Sequence, residues 1–171
     1  MHGMKEAIGL AIVGLSAGTA QAADTTACVA GLVCANAPQT VVSALQAAGY
    51  KAVLSKSKTT GNPMIESAAS GYNFRIYFYE CEANKDCASL QFNTAFNNDD
   101  GANTVELANL WNKDKRFSQM SFDPEDKLLS FAYDVTTLGG LNQRNFADVV
   151  DWWATMLGQL NAFFKAHPAQ K

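Results

Sequence analysis

The chain has 171 residues, which is the length of one domain. Apolar residues make up 48 % and charged residues 17 %, enough apolar material for a core and too little charge for a disordered chain. The net charge is −3 and no basic cluster stands out, which argues against nucleic acid as a partner and gives no attraction toward anionic lipid.

The first 22 residues read as a targeting segment. Lys5 precedes the small and apolar run AIGLAIVGLSAGTA, and Ala20-Gln21-Ala22 supplies a small-x-small cleavage pattern. Cleavage is expected after Ala22, with export to the periplasm or beyond it. The run is too short and too rich in small residues to span a membrane. No cysteine follows the cut directly, so no lipoprotein anchor is expected. Gly14-Leu15-Ser16-Ala17-Gly18 matches the nucleophile-elbow pattern, but that motif requires a strand before it and a helix after it.

Cys28, Cys34, Cys81 and Cys87 all follow the cleavage site. An even count in an exported chain implies disulfides, with three possible connectivities. Each pair is spaced C-x5-C, wider than the usual zinc spacings, and no metal site is expected.

Residues 23–35 are small, rich in Thr, Ala and Gly, and read as an extended or looped lead-in. A helix is then expected with Asn36 as its cap, Pro38 in its first turn, Gln39 in capping-box position and Gly49 as its stop. Val41, Val42, Leu45 and Ala48 would form its apolar face. Lys51–Ser55 and Met64–Ser70 read as short strands around a turn at Gly61-Asn62-Pro63.

The strongest pattern is the pair of alternating runs that follows. Tyr72, Phe74, Ile76 and Phe78 alternate with Asn73, Arg75, Tyr77 and Tyr79. Leu90, Phe92 and Phe96 then oppose Ser89, Gln91 and Asn93. Strict period two with aromatic enrichment predicts a half-buried antiparallel hairpin. Cys81 ends the first strand and Cys87 starts the second, so a closed hairpin brings them within bridge reach. That leaves Cys28 for Cys34. The alternative, a bridge from the lead-in to the hairpin, stays open on the sequence.

Asn97-Asn98-Asp99-Asp100-Gly101 superficially resembles a calcium loop, but the ligand register fails and a solvated turn is expected. Asn103 or Thr104 should cap a second helix, with Glu106 in capping-box position and Leu107, Leu110 and Trp111 as its stripe. Phe117–Phe122 and Lys127–Val135 predict another hairpin around Asp123-Pro124-Glu125-Asp126. A long helix should run from about Asn142 to Ala166. Phe146, Val150, Trp153, Leu157, Leu160 and Phe164 would lie on its apolar face, widened by Val149, Trp152, Met156 and Phe163. All three tryptophans are assigned to the core.

This order predicts an α+β two-layer sandwich, an antiparallel sheet with helices packed on one face. The other face would carry Arg75, Tyr77, Tyr79, Gln91 and Asn93, residue types suited to binding a protein or peptide. The expected divisions are a signal peptide (1–22), the lead-in (23–35), the domain (36–167) and a tail (168–171).

Catalysis finds little support in the sequence. His2 lies in the targeting segment and His167 in the tail, so a domain without a core histidine cannot assemble a Ser-His-Asp or Cys-His site. Most carboxylates fall in polar turns, and Glu66 and Asp134 are single strand carboxylates expected to face solvent. A non-catalytic binding module is therefore expected, with no cofactor. The rivals are a structural or envelope-stress component without a discrete ligand, and a carboxylate-dependent hydrolase.

Several motifs, in order, resemble the YbjN-domain family of bacterial sensory transduction regulators. They are Tyr77-Phe78-Tyr79 with Cys81 and Cys87, Trp111-Asn112 with Arg116-Phe117, and Asp151-Trp152-Trp153. The resemblance covers roughly Val41 to Phe164. It implies a fold like that of type III secretion chaperones, a regulatory role and a possible homodimer. The targeting segment and the cysteines depart from the cytoplasmic members.

Overall fold

The computed structural model describes residues 23–97 and 101–168. The predicted signal peptide, the middle of the polar loop and the last three residues lie outside the described residues. The elements are β1 (Leu32–Val33), α1 (Pro38–Ala47), β2 (Val53–Lys56), β3 (Pro63–Ala69), β4 (Tyr72–Tyr79), β5 (Ser89–Asn97), α2 (Val105–Asp114), β6 (Gln119–Asp123), β7 (Leu128–Thr136), β8 (Leu141–Asn142) and α3 (Gln143–Ala166). Strands β2 to β7 form one antiparallel sheet in the order β2-β3-β4-β5-β7-β6. This is the expected α+β arrangement.

Period two decides which side of the sheet is dry. Phe74, Ile76 and Phe78 of β4 face the same way as Leu90 and Phe92 of β5, because Ile76 pairs with Phe92 and Phe78 with Leu90. Phe131 and Leu129 of β7 continue that layer, and all seven are buried. Helix α3 lies over it. The Trp153 ring packs on Phe131, Phe74 and Phe92, at 5.2, 5.6 and 5.8 Å between centroids. Phe164, further along α3, meets Phe96 at 5.2 Å. Helix α2 closes the β6 end: Trp111 sits edge-on to Phe131 at 5.0 Å, and its Nε1 donates to Ser118 Oγ. The Asn112 amide accepts from Met120 N and donates to Met120 O, tying α2 to the edge strand.

Helix ends depart from expectation in instructive ways. Asn36 does not cap α1; Ala37 occupies that position without a side-chain bond. The Asn36 amide instead donates to the carbonyls of Asp24 and Thr26 in the lead-in. The Thr40 hydroxyl steadies the first turn, accepting from Cys34 N and donating to Ala37 O. On α1 it is Ala44 that is buried with Val41, Val42 and Leu45, while Ala48 is exposed. Thr104 caps α2 by accepting from Leu107 N, which puts Glu106 one place early for a capping box. Asn103 reaches back to the carbonyls of Phe96 and Asn97. Ala108 rather than Leu110 completes the buried stripe of α2; Leu110 is 43 % exposed. Asn142 caps α3 by accepting from Asn145 N.

The lead-in is more ordered than a loop. Val33 pairs with Leu141 and Leu32 with Asn142 in a small β1–β8 ribbon. Cys28 is bonded to Cys34 and Cys81 to Cys87, so both bridges are local. Thr137, 1 % exposed, joins the parts. Its hydroxyl accepts from Ala35 N and donates to Ala88 O. Asp24 N donates to Asp86 O, fastening the lead-in to the Cys81–Cys87 loop. Gly140 makes the ribbon possible: it holds φ +83°, and a Cβ there would stand 2.7 Å from Leu32 Cδ1.

Candidate functional site

The second face of the six-stranded sheet is covered by no described helix. Strand pairing arranges its side chains in lateral rows. One row runs Val53, Glu66, Arg75, Asn93, Ala132 and Gln119 across all six strands. The next runs Ser55, Met64, Tyr77, Gln91 and Asp134. All five residues expected on this face are on it.

The rows interact. Arg75 Nε lies 3.7 Å from Glu66 Oε1 in a pair more than half exposed, so it orients more than it stabilises. The Tyr77 phenol, by hydrogen bond and by charge, raises the Arg75 guanidinium above its usual range; partial burial opposes this and Glu66 adds to it. Gln91 Nε2 donates to Asp134 Oδ1 at 2.8 Å, and Gln119 Nε2 to Asp134 Oδ2 at 3.2 Å. Asn93 Nδ2 donates to Gln91 Oε1 at 3.4 Å. Tyr79 stays 43 % exposed. Its phenol is raised above the ordinary value by burial first, then by the charges of Asp134, Tyr77 and Glu80.

Between β2 and β7 this face sinks into a groove of about 780 Å³. Arg75, Tyr77 and Asn93 line it, with Lys51, Glu66 and Asn73. Gln91 and Tyr79 stand outside the lining, beside Asp134. The expected residues thus divide into a groove group and an Asp134 group. Glu66 and Asp134 do face outward, as expected of strand carboxylates, but each is engaged by a neighbour. Gln119 is the member that sequence reading missed. Its strand begins two residues later than expected; Met120 and Phe122 alternate with Gln119 and Ser121, so period two does mark its outward face, and that signal was there to be used.

The arrangement offers amide and guanidinium donors, carboxylate acceptors and two phenol rings. Among the described residues, no three His, Cys, Asp or Glu side chains cluster as a metal site. His167 lies away from this face, its Nδ1 2.9 Å from Phe163 O. No helix among the described residues is long and apolar enough to cross a membrane.

The profile of the YbjN family, described as "Putative bacterial sensory transduction regulator", matches residues 37–166. The chain belongs to the YbjN family. Residues 23–36, which hold the Cys28–Cys34 bridge, precede the matched YbjN segment. A crystal structure of YbjN from E. coli, described as "a putative transcription regulator", superposes with a TM-score of 0.53 at 14 % identity. The match covers 77 % of this chain and 94 % of that one. At that identity the likeness establishes the fold alone. No curated protein matches the chain.

Proposed function

We propose that this YbjN-family chain is exported, loses residues 1–22, and acts as a non-catalytic regulatory module. In this reading the open sheet face binds a protein or peptide through Arg75, Tyr77, Tyr79, Gln91 and Asn93. The observation that carries the reading is the uncovered face itself. Its groove is lined by Ala68, Ala95 and Ser130 together with the exposed Arg75–Glu66 pair and Tyr77, chemistry suited to an extended segment. Each strand carboxylate on it is engaged by a neighbour, and neither stands opposite a histidine. The two local disulfides and the charged-apolar-small order of residues 1–22 support an oxidising destination.

A photo-crosslinking side chain at position 77, introduced in intact cells, tests the binding. The expected result is a discrete adduct that Arg75→Glu and Tyr79→Ala abolish. Absence of an adduct from any open-face position would favour a structural component without a discrete ligand. N-terminal sequencing of the envelope fraction should begin at Ala23; recovery of the full-length chain in the cytosol would refute export. Light scattering tests the homodimer implied by the family resemblance.

A further inference from the structure

Trp152 and Phe117 depart from the burial of the other core-side aromatics. They are 41 % and 40 % exposed, on the helical side of the molecule. Their rings meet at 4.7 Å between centroids, and Phe117 reaches Tyr133 at 6.2 Å. Phe117 also holds φ +67°, a left-handed backbone in which a bulky residue is an outlier. Glycine would adopt that turn without strain, so the turn alone does not account for a phenylalanine there. The charges around the rings are specific. Asp148 lies one turn before Trp152 on α3 and so shares its face. Its carboxylate, after burial, raises the Tyr133 phenol. Asp151, about 100° round the helix from Trp152, acts instead on Tyr50, whose phenol its charge raises after burial. The chain's own Arg116 already sits over the Phe117 ring, with its guanidinium carbon 4.7 Å from the centroid.

We infer that Trp152, Phe117 and Tyr133, with the Asp148 carboxylate, form a docking platform for a lysine or arginine side chain of a partner protein. Aromatic faces attract cations, and a carboxylate beside them selects that sign over an anion. Arg116 on Phe117 is an intramolecular instance of the same contact, so Phe117 buttresses the platform and the 41 % exposed Trp152 ring offers the face to the partner's cation. The platform lies on the helical side, opposite the open sheet face, and stands independently of any ligand there.

Trp111 and Trp153 are fully buried, so Trp152 is the tryptophan open to ionic quenchers. Relative to its quenching of free N-acetyltryptophanamide, caesium should quench the purified protein more strongly than iodide does, and Asp148→Asn should shrink that difference. Equal or stronger quenching by iodide on that relative scale would overturn the assignment. A second measurement uses the anisotropy of two labelled synthetic peptides, one alternating Lys and Leu, the other Glu and Leu. Only the lysine peptide should bind. Trp152→Leu should weaken it roughly two- to thirty-fold, the range of one cation–π contact. Phe117→Gly, which removes the ring and relaxes the backbone, should weaken it similarly without lowering the unfolding midpoint. Equal binding of the glutamate peptide, or binding indifferent to both substitutions, would refute the platform. The same dependence for phosphocholine vesicles would refute a protein partner and assign the cation to a lipid head group.

Discussion

Replacing Trp153 by alanine should remove a large part of the protein's stability. The side chain is 0 % exposed and touches three other rings, from β4, β5 and β7. Truncating a buried tryptophan costs about 3–5 kcal/mol. Ring contacts worth ~0.5–1.5 kcal/mol each beyond area burial place this site toward the upper end. Against a typical total of about 5–15 kcal/mol, the loss is a third or more for most of that range. In urea unfolding followed by far-UV circular dichroism, with a slope of about 2 kcal/mol per M, the midpoint should fall by roughly 2 M. Trp153→Phe separates packing from polarity. Trp153 Nε1 is buried with no hydrogen-bond partner among the described residues. Phenylalanine keeps most of the ring and discards that donor, whose burial costs about 1–3 kcal/mol, so its net cost should stay below about 2 kcal/mol. An unchanged midpoint in Trp153→Ala would refute the core assignment. Equal losses in both variants would show that the indole N–H has a partner.

Thr137→Val should cost roughly 1–3 kcal/mol, because it leaves the Ala35 amide without its acceptor in a buried setting; chemical unfolding checks it. Replacing Cys81 and Cys87 by serine should cost about 2.4 kcal/mol on the chain-entropy model for so short a loop, and a thermal midpoint unchanged by the double substitution would contradict it. Gly140→Ala forces a Cβ into Leu32 at a positive φ, so amide exchange should quicken at Leu32 and Val33 more than in β4. The phenols of Tyr50, Tyr72, Tyr79 and Tyr133 are all raised, with burial the first cause in each. The folded state holds these protons more tightly than the unfolded state. Their contribution is therefore complete below the free-tyrosine value of about 10 and is lost as pH rises through the folded values. Absorbance titration at 295 nm should give a higher midpoint for native than for urea-unfolded protein, and coincident curves would refute the shifts.

The sheet was legible because its alternation is strict. Tyr72 to Tyr79 carries three aromatics and an isoleucine in period two, Tyr72, Phe74, Ile76 and Phe78, a pattern a helix cannot bury on one side. The long helix was legible for the matching reason: Phe146, Val150, Trp153, Leu157 and Leu160 step at helical spacing. Trp152 was misread because residues adjacent on a helix differ by about 100° in direction, and the apolar type of Trp152 was allowed to outweigh its angle. Asn36 has cap chemistry, yet its amide found carbonyls in a lead-in whose path carries no periodicity. The β1–β8 ribbon was invisible for that reason too, since two residues cannot display a period. On the open face, alternation placed Arg75, Tyr77, Tyr79, Gln91 and Asn93 correctly. The grouping around Asp134 depends on strand order, with β7 inserted between β5 and β6, and local sequence does not encode that neighbour.

The fastening of the lead-in bears on the order in which the chain can be completed. Ala35 and Thr137 are 102 residues apart, so the segment that emerges first acquires its buried partner only when nearly the whole chain is out. Cys28 and Cys34, by contrast, are separated by 6 residues, as are Cys81 and Cys87. Each bridge can therefore close on its own segment, and an oxidant meeting the cysteines in order of emergence would make the native pairs first. A chain whose N-terminal strand must wait for β8 thus keeps its early thiols from waiting with it.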